Sequence, residues 1–495
     1  VRSSVRIAVA LCAGLALPGQ PAAAQDRAGG SLPWLSDSLS GSTPGLPPPA
    51  GAAQVETGTL GQLDRDATGL IPARAAGLPP DLWKTSDSDR VIAMLDRLPP
   101  SPYPGAQALV QRLLLTEAEP PARMDDALLT ARIDALLRRG AIDRAQALIE
   151  RAGPDTPDLF RRWFDISLLS DSEDRACQAL EANPGLTPNP ITRVFCLARE
   201  GRWTTAALTL ESGRGLGDVS ESEYALLARF LDPDLYEGEP PLTPPRQVTP
   251  LAFRMFEAIG EPLPTRDLPL AFAWSDLRFV SGWKAQLEAA ERLARAGSVS
   301  GNRLLGLYTE RKATVSGAIW DRVRAVQALD LALNTGDPSA VSAALIDARS
   351  AMGMAGLEPA LAEMMAHRLT RLSLRGPGAE AALRLQLFAG QAPAAIHDGA
   401  GSDLQLAWAI AGGHESPATG DSRADRLAAA FADDPVPLAD GTGEAILSAL
   451  TLLVPGAEAD FEDHVHALEL LRAAGQDQAA RRIAADMILA GGIGR

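Results

Sequence analysis

Five histidines, three cysteines and an aromatic content of 5% leave a chain of 495 residues with little equipment for chemistry. No His-Glu-x-x-His is present, nor a Gly-x-Ser-x-Gly elbow, nor a phosphate loop closing on Lys-Ser/Thr. Gly213, Gly215 and Gly217 lack a preceding strand and the sixth-position partner, so they read as a loop after a helix rather than as a dinucleotide site. Lysine is nearly missing: only Lys84, Lys284 and Lys312 occur, and the other basic residues are arginine. With the abundance of Ala, Gly and Pro, that skew reads as a coding bias. Acids outnumber bases, for a net charge of −16, which argues against nucleic acid and anionic membranes as partners. Beyond the N-terminus the longest apolar run, near 445–454, is too short to cross a bilayer. Convincing runs of alternating β-branched and polar residues are almost absent from the body, so strands are not expected there.

What is present begins with a secretory pattern. Arg2 and Arg6 precede the apolar run Ile7–Leu17, Pro18-Gly19 breaks it, and Ala22-Ala23-Ala24 offers a cleavage site before Gln25. The expectation is export to the periplasm or beyond, with the mature chain carrying 44 basic against 62 acidic residues. Residues 25–85, rich in Pro, Gly and Ser, bury too little apolar surface to offset their ordering entropy and read as a disordered tether. Within them Trp34, Leu35 and Leu39 form a candidate linear interaction motif, and Val55–Leu60 a candidate strand laid on the body.

The body, from residue 86, carries helical patterns almost without interruption. Ile133–Pro157 contains Leu136, Gly140, Ala145, Ile149 and Ala152, at minus four, zero, plus five, plus nine and plus twelve from the glycine. A left-handed glycine ends one helix, and a small residue lets the next approach closely. The same spacing recurs at Gly201, Gly376 and Gly475, and more loosely at Gly336. It resembles the tetratricopeptide-type helical repeat in degenerate form, which implies an all-α solenoid of helical hairpins. Six prolines from Pro233 to Pro250 break the array, giving an N-terminal half over 86–232 and a C-terminal half over 251–495. The stretches SLPWLSDSLS, GLPPDLW (Gly77–Trp83) and LVQRLLLTEAEPP are similar to those of a group of uncharacterised secreted bacterial proteins, some labelled antifreeze-glycopeptide-like. No threonine-bearing tripeptide or flat threonine face supports that label here.

Catalytic candidates are few. Asp125-Asp126, Glu173-Asp174 and Asp433-Asp434 are carboxylate pairs that read as acids at helix starts. His464 and His466 point to different faces of a helix, and with Asp460 and Glu462 they read as a solvated first turn. Trp163, Trp203, Trp274, Trp283, Trp320 and Trp408 fall in helical patterns and read as packing residues. No cofactor or metal site is expected.

Cys177 and Cys196 are the only cysteines left after export. Asn183-Pro184-Gly185 ends one helix, and Asn189 caps the next with Pro190 in its first turn. In that hairpin both cysteines lie about 9 Å from the loop, and packed axes put their Cα atoms about 4–5 Å apart. Their neighbours three and four residues away are mostly polar, so neither reads as a core thiol. A disulfide is expected.

Stacked hairpins and missing catalytic motifs lead to a non-enzymatic periplasmic scaffold for an unidentified protein or peptide. The alternative is an enzyme, or an accessory of one, acting on a cell-envelope polymer.

Overall fold

Glycine turns set the architecture. In the computed structural model, which describes residues 64–122, 125–397, 399–417, 420–453 and 460–491, the chain is all-helical. Gly140, Gly201 and Gly475 have φ of 71°, 77° and 74°, and each closes a helix with two bonds. At the first, Ala141 N donates to Leu136 O and Gly140 N to Leu137 O; Arg202 to Leu197 and Gln476 to Leu471 repeat the longer bond. This double closure satisfies carbonyls that a helix end leaves orphaned. Gly336, at φ 74°, makes the single bond to Ala332 O. Gly376 differs: at φ 55° and ψ −139° it opens the helix Pro377–Phe388 instead of closing the one before. In all five hairpins the residues at plus five and plus nine are buried.

The helices of the body include Ile142–Ala152, Glu173–Ala182 and Glu221–Leu231. Asp87 caps Ser88–Arg97 by accepting from Arg90 N at 2.8 Å. The helix Trp203–Leu216 runs through Gly213 and Gly215, correcting the loop expected there; only Gly217 adopts the left-handed stop. Gly213 serves close approach, since a Cβ there would lie 2.9 Å from Val219 and 3.3 Å from Pro190.

The expected tether is too long at its C-terminal end. Residues 63–495 form one compact unit. Ile71–Pro72 pairs in parallel with Thr116–Glu117, and Leu82 and Trp83 are 1% exposed. Average composition hid this: the segment has few large apolar residues, but those few are fully inserted. Arg132 ties it down from the helix Ala127–Arg138. Its guanidinium donates to the carbonyls of Leu114 (2.9 Å), Thr68 (2.8 Å), Thr116 (2.9 Å) and Asp66 (3.2 Å). Residues 1–63 lie outside the described residues, and with them Trp34, Leu35, Leu39 and the candidate strand Val55–Leu60.

The proline-rich stretch breaks the run of helices without dividing the fold. Beyond it, Leu270 packs on Gly140, and Trp274 Nε1 donates to Gly140 O at 2.6 Å. The helix Pro250–Ala258 packs on Pro157–Ser170. The first and last helices also meet: Pro104–Leu115 lies on Asp477–Leu489, and Ser88–Arg97 on Thr442–Leu452. At that junction Gly105 N donates to Asp486 Oδ2 at 2.6 Å, and Gln476 Nε2 to Gly77 O at 2.8 Å. No described helix is long and apolar enough to cross a membrane.

Candidate functional site

Helix starts converge on a cavity of about 220 Å³. Pro157–Ser170 forms one wall, and the first turns of Pro190–Arg199, Glu221–Leu231 and Pro250–Ala258 form the others. Each of those three turns is fixed by a cap. Asn189 accepts from Ile191 N at 2.8 Å, and Thr249 accepts from Ala252 N at 3.2 Å. Ser220 and Glu223 cap each other's backbone N–H groups in a reciprocal box. The floor is apolar: Phe160, Phe164, Leu227 and Met255 are all buried.

Asp165 enters this floor as its exception. It is partly buried and has no hydrogen bond or ion pair among the described residues. Burial pushes its carboxyl up to about 6, against the opposing pull of Arg161 and Arg162. Arg162 is already held by both oxygens of Asp134 at 2.7 Å, and Arg161 is exposed at the rim. Glu223, the other acid on the wall, is engaged in its capping box. The arrangement is therefore a pocket with an apolar floor and polar rim, holding one carboxylate without a partner among the described residues. Sequence reasoning passed over Asp165, although a signal was there. Asp165 is flanked by Trp163, Phe164, Ile166, Leu168 and Leu169, all buried, so its short side chain lies on the apolar side of the helix while Arg161 reaches solvent.

The residues singled out from sequence lie elsewhere. Cys177 and Cys196 are joined as a disulfide with Cα atoms 5.2 Å apart. Both are buried, at 3% and 4% exposure, which corrects the polar faces expected around them. Glu173, one turn before Cys177, is itself 1% exposed and takes Arg254 at 3.0 Å and Arg199 at 3.3 Å. A paired acid is buried at lower cost than a lone one. Asp433-Asp434 follows the helix Ser422–Ala429 instead of opening one, and Asp433 O accepts from Arg472. Asp125 does sit at a helix start, accepting from Ala127 N at 3.2 Å.

His464 is buried, edge-on to Tyr103 with ring centroids 6.3 Å apart, while His466 is exposed. Only the latter fits the solvated turn expected. Trp203 is 50% exposed, unlike the buried Trp163 and Trp274. Among the described residues no three His, Cys, Asp or Glu side chains gather to hold a metal ion.

A second polar cluster is structural in its geometry. Glu291, buried, accepts from Tyr308 Oη at 2.7 Å and takes Arg322 through both oxygens at 2.9 and 2.6 Å. Burial next to that carboxylate raises the Tyr308 phenol well above its ordinary range. The carboxylate is fully engaged and ties three helices together, so no group is left for a ligand.

No family model, curated protein or solved structure matches the chain.

Proposed function

We propose that the protein is a non-enzymatic helical-hairpin scaffold, tetratricopeptide-like in its repeats, that binds a protein or peptide partner in the bacterial cell envelope. One observation carries this reading: the cavity around Asp165, with an apolar floor, capped walls and a carboxylate that has no hydrogen-bond or ion-pair partner among the described residues. A charge left unpartnered in a low-dielectric pocket is costly to stability. Pockets lined by apolar groups with a few directed polar ones are the usual form of a binding site. Large exposed apolar side chains on the helix Trp203–Leu216, namely Trp203, Leu208 and Leu216, add surface of the kind a partner covers. The secretory pattern of the first residues supports the compartment.

The test is site-specific photocrosslinking in intact cells. A photoreactive side chain replaces Arg161, exposed at the rim of the cavity, and in a control it replaces Leu331, exposed on the helix Ala318–Thr335. A discrete adduct from the rim position alone is expected. Adducts of the same size from both positions, or from neither, would count against the reading.

A further inference from the structure

We propose that the Asp165 cavity is a binding site for a primary ammonium carried on an apolar chain, its charge against the Asp165 carboxylate and its methylenes over Phe160, Phe164, Leu227 and Met255. This deepens the binding role proposed above and rests on it. A lysine side chain of a partner and a free alkylamine share that chemistry.

Three features select this class. The first is the pairing of an open carboxylate with an apolar floor. A carboxylate oxygen with no donor among the described residues is completed best by a charge-assisted N⁺–H···O⁻ bond. The apolar floor rewards a ligand whose remainder is hydrocarbon. Hard divalent cations are disfavoured, because they require several oxygens at once. Here Glu223 is spent on Ser220, leaving one free carboxylate.

The second feature concerns the competing charges. Facing Asp165 from its own helix are Arg161 and Arg162, and from Glu221–Leu231 comes Glu223; the walls from Pro190–Arg199 and Pro250–Ala258 contribute no charged side chain to the lining. Arg162 is committed to Asp134. Arg161 makes no ion pair with Asp165. In this order, with the cation N-terminal, a helical pair four apart is the weaker of the two orientations. The third feature is the set of helix starts, whose positive ends would favour an anion. Their caps already occupy N–H groups of Ile191, Glu223 and Ala252, and the pocket carboxylate repels an anion.

Calorimetric titration of the full-length chain tests the assignment with hexylamine, hexanol, hexanoate and a short acetylated alanine peptide containing one lysine. Hexylamine should bind saturably and at least tenfold more tightly than hexanol or hexanoate. Asp165→Asn should remove that preference and leave hexanol unchanged. Because the Asp165 carboxyl lies near 6, hexylamine should bind about tenfold more weakly at pH 5 than at pH 7.5. Arg161→Gln should strengthen hexylamine binding, since it removes a competing cation from the rim. Binding of the lysine peptide as well marks a side-chain site, and binding of hexylamine alone marks a free-amine site; either supports the assignment.

Hexanoate binding as tightly as hexylamine would overturn it, as would equal affinity for hexylamine and hexanol. The comparison among ligands on the unaltered chain stands even if Asp165→Asn fails to fold. A rim crosslink without hexylamine binding would leave the partner reading intact and remove the ammonium; hexylamine binding without a crosslink would do the reverse.

Discussion

Replacing Asp486 with asparagine should stabilise the protein at neutral pH and flatten its stability profile. Asp486 is 0% exposed at the meeting of Pro104–Leu115 with Asp477–Leu489. One carboxylate oxygen accepts from Gly105 N, and the other is buried without a hydrogen-bond partner among the described residues. Burial pushes the carboxyl up to about 7, outweighing the Gly105 N–H and the charge of Arg482, which pull it down. An unfolded aspartate titrates near 3.9, so the gap is about 3 pH units, or about 4 kcal/mol.

The sign follows from proton counting. Between about pH 4 and pH 7 the native state holds a proton that the unfolded state has lost, so stability falls as pH rises through that window. The deficit is complete above about 7. Asparagine keeps the acceptor for Gly105 N and carries no charge, but it buries an amide NH2 where the unpartnered oxygen sits, at a cost of about 1–3 kcal/mol. The net gain expected at pH 8 is therefore about 1–3 kcal/mol, turning into a loss of about 1–3 kcal/mol at pH 4.

Arg482 and Tyr103 are the charged or titratable groups that act on the site, and burial beside Asp486 raises the Tyr103 phenol further from the window. Urea unfolding followed by circular dichroism at steps from about pH 4 to 8 measures the difference. The m-value is compared at each step, since a unit of this size need not unfold in one transition. Parallel profiles for the two proteins across the whole range would refute the reasoning.

Two further perturbations test the packing. Gly443→Ala places a Cβ 2.4 Å from Trp83 Cζ3 and 2.8 Å from Leu82 O, and should cost about 1–3 kcal/mol; an unchanged melting temperature would show that the segment before residue 86 is not packed there. Replacing both Cys177 and Cys196 with serine should remove about 3 kcal/mol from their hairpin, read as faster amide exchange in Glu173–Ala182 and Pro190–Arg199, and two titratable thiols in unreduced protein would contradict the bond.

The hairpins were legible because a left-handed glycine and a small residue five positions later are local requirements. Gly140 and Ala145 are read within a dozen residues, and the turn follows from backbone sterics alone. What was missed is long-range. Residues 64–85 average out as tether, yet Trp83 finds its place against Gly443, over three hundred positions away. Glu173 beside Cys177 reads as solvent-facing until Arg254 arrives from a helix beyond the prolines. Gly213 reads as a loop glycine because its reason is a neighbour, Pro190, that no local pattern reveals. Asp165 belongs in part to the legible class, since an acid inside an apolar helix announces a buried charge. Only the fold tells that no arginine pairs with it.

Contact between the first and last helices alters how such an array should respond to damage. In an open stack each hairpin touches only its neighbours, stability is close to a sum of repeat and interface terms, and terminal units fray independently. Here the N-terminal segment is bound to both ends at once. Gln476 donates to Gly77 O, Arg90 reaches Glu444 at 3.0 Å, and Asp486 takes Gly105 N. Losing that segment would uncover the helices Thr442–Leu452 and Asp477–Leu489 together with their polar anchors. Trp83, 1% exposed, and Leu82 beside it are the apolar part of the same closure. The Asp165 cavity draws its walls from both sides of the proline-rich stretch, so its geometry depends on the two halves staying packed. Closure of the ends and integrity of the pocket are thereby linked through one continuous core, in which the residues least conspicuous by composition, 64–85, hold the seam.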